Sequence, residues 1–334
     1  MDFPIVPFLL AVVLAFHGLR KKSLSPSGAL AAFIVGFLML SAKVRAFGVS
    51  LIVFYLVGSR ATKAGKSTKA KLEEGHQEAG YRTAQQVLCN SFSAFLATVL
   101  WTALFVPGTY LAQYLPGWIE EKGEPYSADD WCPLSSSRGY GWSRFLLLII
   151  LGHFACCLGD TLASELGILS KSPPILITTL RSVPPGTNGG VSALGTFASV
   201  TGGIIMGLTM GVSLALESSA CRAVLAPMLT ELIFIGGVAG LFGSMVSSDE
   251  SVFDREIRAR LNRELFFQVD SLMGATIQRT RFSSKTKRIL LDEIPISAFS
   301  PNEIKVVSGL DLLTNNQVNL LSSIITALAT AYFA

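Results

Sequence analysis

Histidine is scarce in this 334-residue chain, with three copies, and the five cysteines include no CxxC pair. Those shortages exclude the usual ligand sets of structural zinc and leave His17, His76 and His153 as incidental residues. Charge is also thin: Asp, Glu, Lys and Arg make up 15% of the residues against 50% hydrophobic ones, at a mean hydropathy of +0.51. No nucleic-acid partner is expected. What remains is a chain for which the lipid bilayer is the natural partner.

Apolar runs fall near residues 3–19, 27–41, 46–57, 87–106, 145–158, 191–216, 223–246 and 318–333. Read against the roughly 20 residues needed per span, they predict an all-α polytopic helix bundle of about seven to nine transmembrane helices, a single membrane domain over residues 1–334. Gly36, Gly48, Gly202, Gly203, Gly207, Gly236, Gly237 and Gly240 recur inside the runs and predict close helix approach. The first run lacks a basic start and is followed by Arg20, Lys21 and Lys22, so it reads as a retained span rather than a signal peptide. Loops after runs one, three, five and seven hold 21 of the 27 Lys and Arg residues and are therefore assigned to the cytosol. Cys132 and Cys221 fall on the opposite side and could pair, although free thiols are the expectation.

Several polar groups lie at the cytosolic ends of these runs. Asp160 and Glu165 end the fifth run, where an ionised carboxylate within a bilayer costs about 2.5–3.5 kcal/mol and needs a partner or a task. Helical spacing stacks Asp160 over Ser164 and Thr161 over Glu165, two oxygen-rich ridges suited to a hard cation such as Mg²⁺. Arg82, Gln86 and Asn90 recur every four residues and predict one polar helix face, serving either hydrogen bonds between helices or, through Arg82, bidentate phosphate contact. Between Arg181 and the next run, Pro185 is followed by Gly186, Thr187, Asn188, Gly189 and Gly190. This turn is expected to open directly into a helix whose amides bind an anion. Lys63 and Lys66 belong to a stretch ending in Gly-Lys-Ser, but Arg60 stands where a nucleotide loop needs glycine, so it reads as a basic loop that attracts phosphate. Asp270 and Ser271 supply a further carboxylate and hydroxyl, and Asn315 and Asn319 sit one helical turn apart at the start of the last run.

The segments Lys21-Lys-Ser-Leu-x-x-Ser-Gly-Ala-Leu30, Gly159-Asp-Thr-x-Ala-Ser-Glu-x-Gly167, Pro185-Gly-Thr-Asn-Gly-Gly-Val191, Asp270-Ser-x-x-Gly-Ala-Thr-x-Gln278 and Asn315-Asn-x-Val-Asn319, with Arg82, Gln86 and Asn90, resemble the transmembrane protein 19 family. That family lies within a wider membrane family that includes plant phytyl-phosphate kinase. The chain departs from the pattern at residues 247–269, a charged insertion whose removal restores it. Its ends are compatible with splice signals, so it reads as a retained in-frame intron.

The resemblance implies a membrane-embedded isoprenyl-phosphate kinase that moves a phosphoryl group from CTP or ATP to a prenyl monophosphate of phytyl, geranylgeranyl or farnesyl type, with Mg²⁺. On this reading Asp160, Glu165 and Asp270 hold the metal. Arg181, the turn from Gly186 to Gly190 and nearby lysines take the nucleotide; Arg82, Asn315 or Asn319 meets the acceptor phosphate. The alternative is a transporter or channel with an ion site at Asp160 and Glu165. A homodimer is compatible with either. An endoplasmic-reticulum membrane with the site facing the cytosol is the expected location, since no transit peptide is apparent.

Overall fold

The computed structural model describes residues 3–74, 80–109, 125–135, 141–243, 269–291 and 303–334. Residues 247–268 of the predicted insertion, and His76, lie outside them. Each apolar run contributes helix over most of its described residues: α1 (Ile5–Arg20), α2 (Pro26–Leu40), α3 (Arg45–Thr62), α5 (Ala84–Cys89) with α6 (Phe92–Phe105), α7 (Trp142–Gly167), α8 (Ala193–Glu217), α10 (Leu225–Gly243) and α12 (Asn315–Phe333). Shorter helices α4 (Lys66–Leu72), α9 (Ser219–Ala223) and α11 (Val269–Thr276) complete the helical part.

Only α7, α8 and α10 are long and apolar enough to cross a membrane by length and composition, among the described residues. The expected seven to nine is therefore not reached on that criterion. The 16 residues of α1 and 15 of α2 rise roughly 24 and 22 Å, short of a hydrocarbon core of about 30 Å. The run at 87–106 is divided where Asn90 caps α5 and Ser91 begins a new turn.

α7 forms the axis, with almost its whole length from Leu146 to Gly159 buried. α8 and α10 pack against it through glycines. A Cβ on Gly203 would stand 2.0 Å from the carbonyl oxygen of Gly236, and one on Gly159 would stand 2.9 Å from that of Gly240. Because backbone faces backbone, neither side can yield cheaply. Gly36 differs: a Cβ there meets nothing within 4 Å. Gly203→Ala is accordingly expected to destabilise the purified protein by about 1–3 kcal/mol. Gly36→Ala should be neutral or gain up to about 1 kcal/mol of helix propensity, so the two thermal transitions in detergent should move apart.

The all-α expectation needs correction. A four-stranded sheet in the order β1 (Glu73–Glu74), β5 (Arg288–Leu290), β4 (Thr280–Ser283), β6 (Ile304–Ser308) stands at one end of the bundle, beside a small antiparallel pair, β2 (Ile175–Leu176) with β3 (Gly190–Val191). These strands come from loops rich in Lys and Arg, so the basic residues gather at that end.

At the other end Cys132 and Cys221 form a disulfide 89 residues apart in sequence, correcting the free-thiol expectation. The start of α7 holds the Cys132 segment in place, since Ser143 Oγ donates to the Pro133 carbonyl at 2.8 Å. Ser218 caps α9 and sets Cys221 opposite. Reduction should lower stability by about 2–5 kcal/mol; an unchanged melting curve with and without reductant would contradict this.

Candidate functional site

At the sheet-bearing end, α7, α11, α12, the 182–192 turn and the residues before α5 enclose a polar cavity of about 400 Å³, within the range usual for small-molecule sites. Asp160 enters it one residue beyond the point where Gly159 lets the helices close, so the bundle beneath the carboxylate is packed shut. The oxygen ridges expected on α7 are narrower than the spacing implied. Thr161 Oγ donates to the Cys157 carbonyl (2.8 Å) and Ser164 Oγ to that of Thr161 (3.2 Å), which leaves those hydroxyls only as acceptors.

Asp270, in the first turn of α11, stands within hydrogen-bonding reach of Asp160. It is oriented by Ser322 on α12, whose Oγ donates to Asp270 Oδ1 at 3.1 Å. Burial raises the Asp270 carboxyl above the ordinary aspartate range, opposed by its hydrogen bonds to Ser322 and Asp160. Two half-buried carboxylates at this separation repel unless they share a proton or a cation. Mg²⁺ is commonly held by one or two carboxylates with water and phosphate oxygens completing its shell, so this pair fits it. Among the described residues no group of three His, Cys, Asp or Glu side chains gathers to hold a metal. Glu165 shares the cavity but is differently engaged: Lys69, 1% exposed on α4, donates to its Oε2 at 2.5 Å and to the Ala61 and Thr62 carbonyls.

Arg82 also lines the cavity, but not on the helix face that the four-residue spacing predicts. Thr83 caps α5 and its backbone N–H donates to Gln86 Oε1 at 2.9 Å, so the helix begins after Arg82 and ends before Asn90. The Arg82 main chain is instead clipped to the turn between α1 and α2. Its N–H donates to the Ser23 carbonyl and its own carbonyl accepts from Ser25, both at 3.0 Å. Gly28 is required there, because a Cβ would lie 2.0 Å from the Arg82 oxygen. The guanidinium donates to Ser59 Oγ (3.0 Å) and Thr62 Oγ1 (3.3 Å). Burial pulls its pKa below the usual arginine value while the nearby Glu165 charge acts in the other direction. Held by neutral hydroxyls, this cation is positioned for an anionic ligand.

The glycine turn lines the cavity with Gly186, Thr187, Asn188, Gly189 and Gly190, yet it does not open directly into a helix. Gly190 and Val191 pair as β3 with β2, and α8 starts only after Ser192, which accepts from the Gly195 N–H. Three of the turn's amides are already used: Thr187 to the Pro184 carbonyl, Gly190 to the Thr187 carbonyl and Asn188 to Thr280 Oγ1. Gly189, at φ +73°, lies against α11, where a Cβ would come 2.5 Å from Ala275. The turn thus fixes α11, and with it Asp270. Asn315 and Asn319 reach the cavity because Thr314 and Gln317 supply the α12 cap, and Gln278 Nε2 donates to Asn315 Oδ1 at 3.4 Å.

Four candidates lie elsewhere. Arg181 is exposed, and its backbone carbonyl accepts from Leu176; Lys63 and Lys66, flanking the turn between α3 and α4, do not line the cavity, and Asn90 lines a separate apolar slot. Among the described residues, Lys69 pairs with Glu165 and Arg82 lines the cavity beside it. Lys69 was one of five lysines and arginines between residues 60 and 71, and only its burial distinguishes it. Neither buried His153 nor exposed His17 lines the cavity.

Protein PGR of Arabidopsis thaliana is 32% identical over 328 residues, covering 97% of this chain and 95% of its own. Protein VTE6, chloroplastic, of the same plant is 24% identical over 259 residues, 78% of this chain and 65% of its own. A membrane protein of Methanocaldococcus jannaschii is 27% identical over 205 residues, 61% of this chain and 68% of its own. No solved structure matches. The family described as integral membrane protein DUF92 matches residues 9–249 and 267–327, which include every residue lining the cavity, and the chain belongs to that family.

Proposed function

We propose that the cavity is the active site of a membrane-embedded isoprenyl-phosphate kinase. The observation that carries the proposal is the convergence of Asp160 and Asp270 with Arg82 in one polar chamber whose floor is closed by helix packing. A transport path would need that floor to open. The resemblance of the sequence motifs to the membrane family that includes plant phytyl-phosphate kinase points the same way, while the similarity to Protein PGR leaves the activity to rest on the site.

In this reading Arg82 binds the lipid monophosphate, with its fork directed by Ser59 and Thr62. Asn315 and Asn319 offer amides to phosphoryl oxygens. The turn at Gly186 and Gly189 lets the nucleoside triphosphate approach the backbone closely. An oxygen of the acceptor monophosphate attacks the γ-phosphorus of CTP or ATP. The bond to the β-phosphate oxygen breaks, and prenyl diphosphate and nucleoside diphosphate leave. A phosphate acceptor is already ionised, so no strong base is required; positioning and charge neutralisation carry the rate. Asp160 and Asp270 would hold Mg²⁺, which when bound neutralises phosphoryl charge.

The basic, sheet-bearing end faces the cytosol in this reading. The disulfide at the opposite end supports that orientation, because such bonds persist in oxidising compartments; the endoplasmic reticulum satisfies both conditions. Purified protein incubated with γ-labelled CTP or ATP, Mg²⁺ and farnesyl, geranylgeranyl or phytyl phosphate should place label in a lipid diphosphate. Label confined to inorganic phosphate, or ion flux through reconstituted vesicles without lipid product, would reject the kinase.

A further inference from the structure

We infer that the apolar slot between α1, α2, α3 and α5 receives the prenyl tail, and that Gly36 on its wall sets how long a tail is accepted. The slot has a cavity volume of about 90 Å³, and Arg82 and Gln86 line both it and the polar cavity. A ligand whose phosphate meets Arg82 therefore has one continuous apolar exit for its tail. Leu14, Val35, Leu51 and Ile52 supply the walls, and Tyr55, bonded to Ser23 at 2.9 Å, stands near the Arg82 end. α1 forms the outer side with only Ala11 and Gly18 buried, while Leu9, Val13 and Phe16 are exposed. Its apolar outer face suits contact with lipid, so a tail can enter from the bilayer without crossing water.

Gly36 is the part of this wall that calls for explanation. At Gly28, Gly159 and Gly203 a Cβ would run into neighbouring backbone, whereas a Cβ at Gly36 meets nothing within 4 Å although the residue itself is buried. The space beside it belongs to the slot. Gly36 lies two helical turns beyond Gly28, which touches Arg82, and so roughly 12 Å farther along α2. A short tail ends above this level and a long one must pass it.

This inference rests on the prenyl-phosphate reading, and the test separates the two. Full-length protein in nanodiscs is photolabelled with farnesyl phosphate carrying a diazirine at the tail end, and labelled peptides are mapped by mass spectrometry. Diphosphate formation from geranyl, farnesyl and geranylgeranyl phosphates is measured in parallel. Label should fall on α1, α2 and α3 around Ala11, Val35 and Ile52. Gly36→Phe should cut that labelling at least tenfold and shift the geranyl to geranylgeranyl activity ratio at least tenfold toward geranyl. Gly36→Leu should do so less, and Gly36→Ala hardly at all. The graded pair keeps the test valid should the phenylalanine variant fail to fold.

Labelling on other faces, competition by ordinary phosphatidic acid as strong as by unlabelled farnesyl phosphate, or an unchanged ratio in the leucine and phenylalanine variants would overturn the slot. Slot labelling blocked by Gly36→Phe without any diphosphate product would overturn the kinase reading alone. Diphosphate product with no slot labelling would overturn the slot alone.

Discussion

Asp160→Asn is expected to lower phosphoryl transfer about a thousandfold, or by about 4 kcal/mol of transition-state stabilisation. Asparagine keeps the shape of the side chain and removes its charge. The packing beneath it, built from Gly159 and the α8 and α10 backbones, is untouched. Removing one of two neighbouring carboxylates also relieves their repulsion. In metal-free buffer the variant should therefore melt no earlier than the parent, and Mg²⁺ should no longer raise its melting temperature. This combination separates a lost site from a lost fold. Activity within threefold of the parent would remove Asp160 from the chemistry.

The second large effect is expected at Arg82. Its main chain holds the turn between α1 and α2, and that role survives any substitution other than proline. The side chain contributes a planar fork already held by Ser59 and Thr62. Lysine retains the charge but cannot reach both hydroxyls while presenting two parallel donors to a phosphate. Arg82→Lys should lower kcat/KM for the prenyl phosphate about a hundredfold, or about 2.7 kcal/mol, with the KM for nucleotide nearly unchanged. A rise confined to the nucleotide KM would move Arg82 to the other substrate.

Asp160, Glu165 and the glycine turn were legible in the sequence because each breaks a strong local rule. Charge stood at the end of an apolar run, and Gly and Pro stood beside polar residues. Periodicity misled at Arg82, Gln86 and Asn90, where the capping signal of Thr83 with Gln86 three residues on marks a helix that starts after the arginine. The sheet at the basic end was readable in part: Ile304 to Ser308 is rich in β-branched residues, and two short runs flank the polar turn before Arg288. Its role as a wall of the cavity, through Thr280, Ile289 and Leu290, was not, because strand pairing across distant segments leaves no local trace. Lys69 was hidden for a related reason. A buried ion pair depends on where Glu165 arrives from α7, which no spacing within α4 records. The Cys132 to Cys221 bond likewise joins segments that only the helix ends bring together.

Mn²⁺ binding to the purified full-length protein, followed by electron paramagnetic resonance with and without nucleotide, tests most directly whether α7 and α11 present one shared cation site. A single tight Mn²⁺ is predicted for the parent, weakened at least tenfold by either Asp160→Asn or Asp270→Asn and lost in the double variant. Binding in the double variant equal to that of the parent would contradict it.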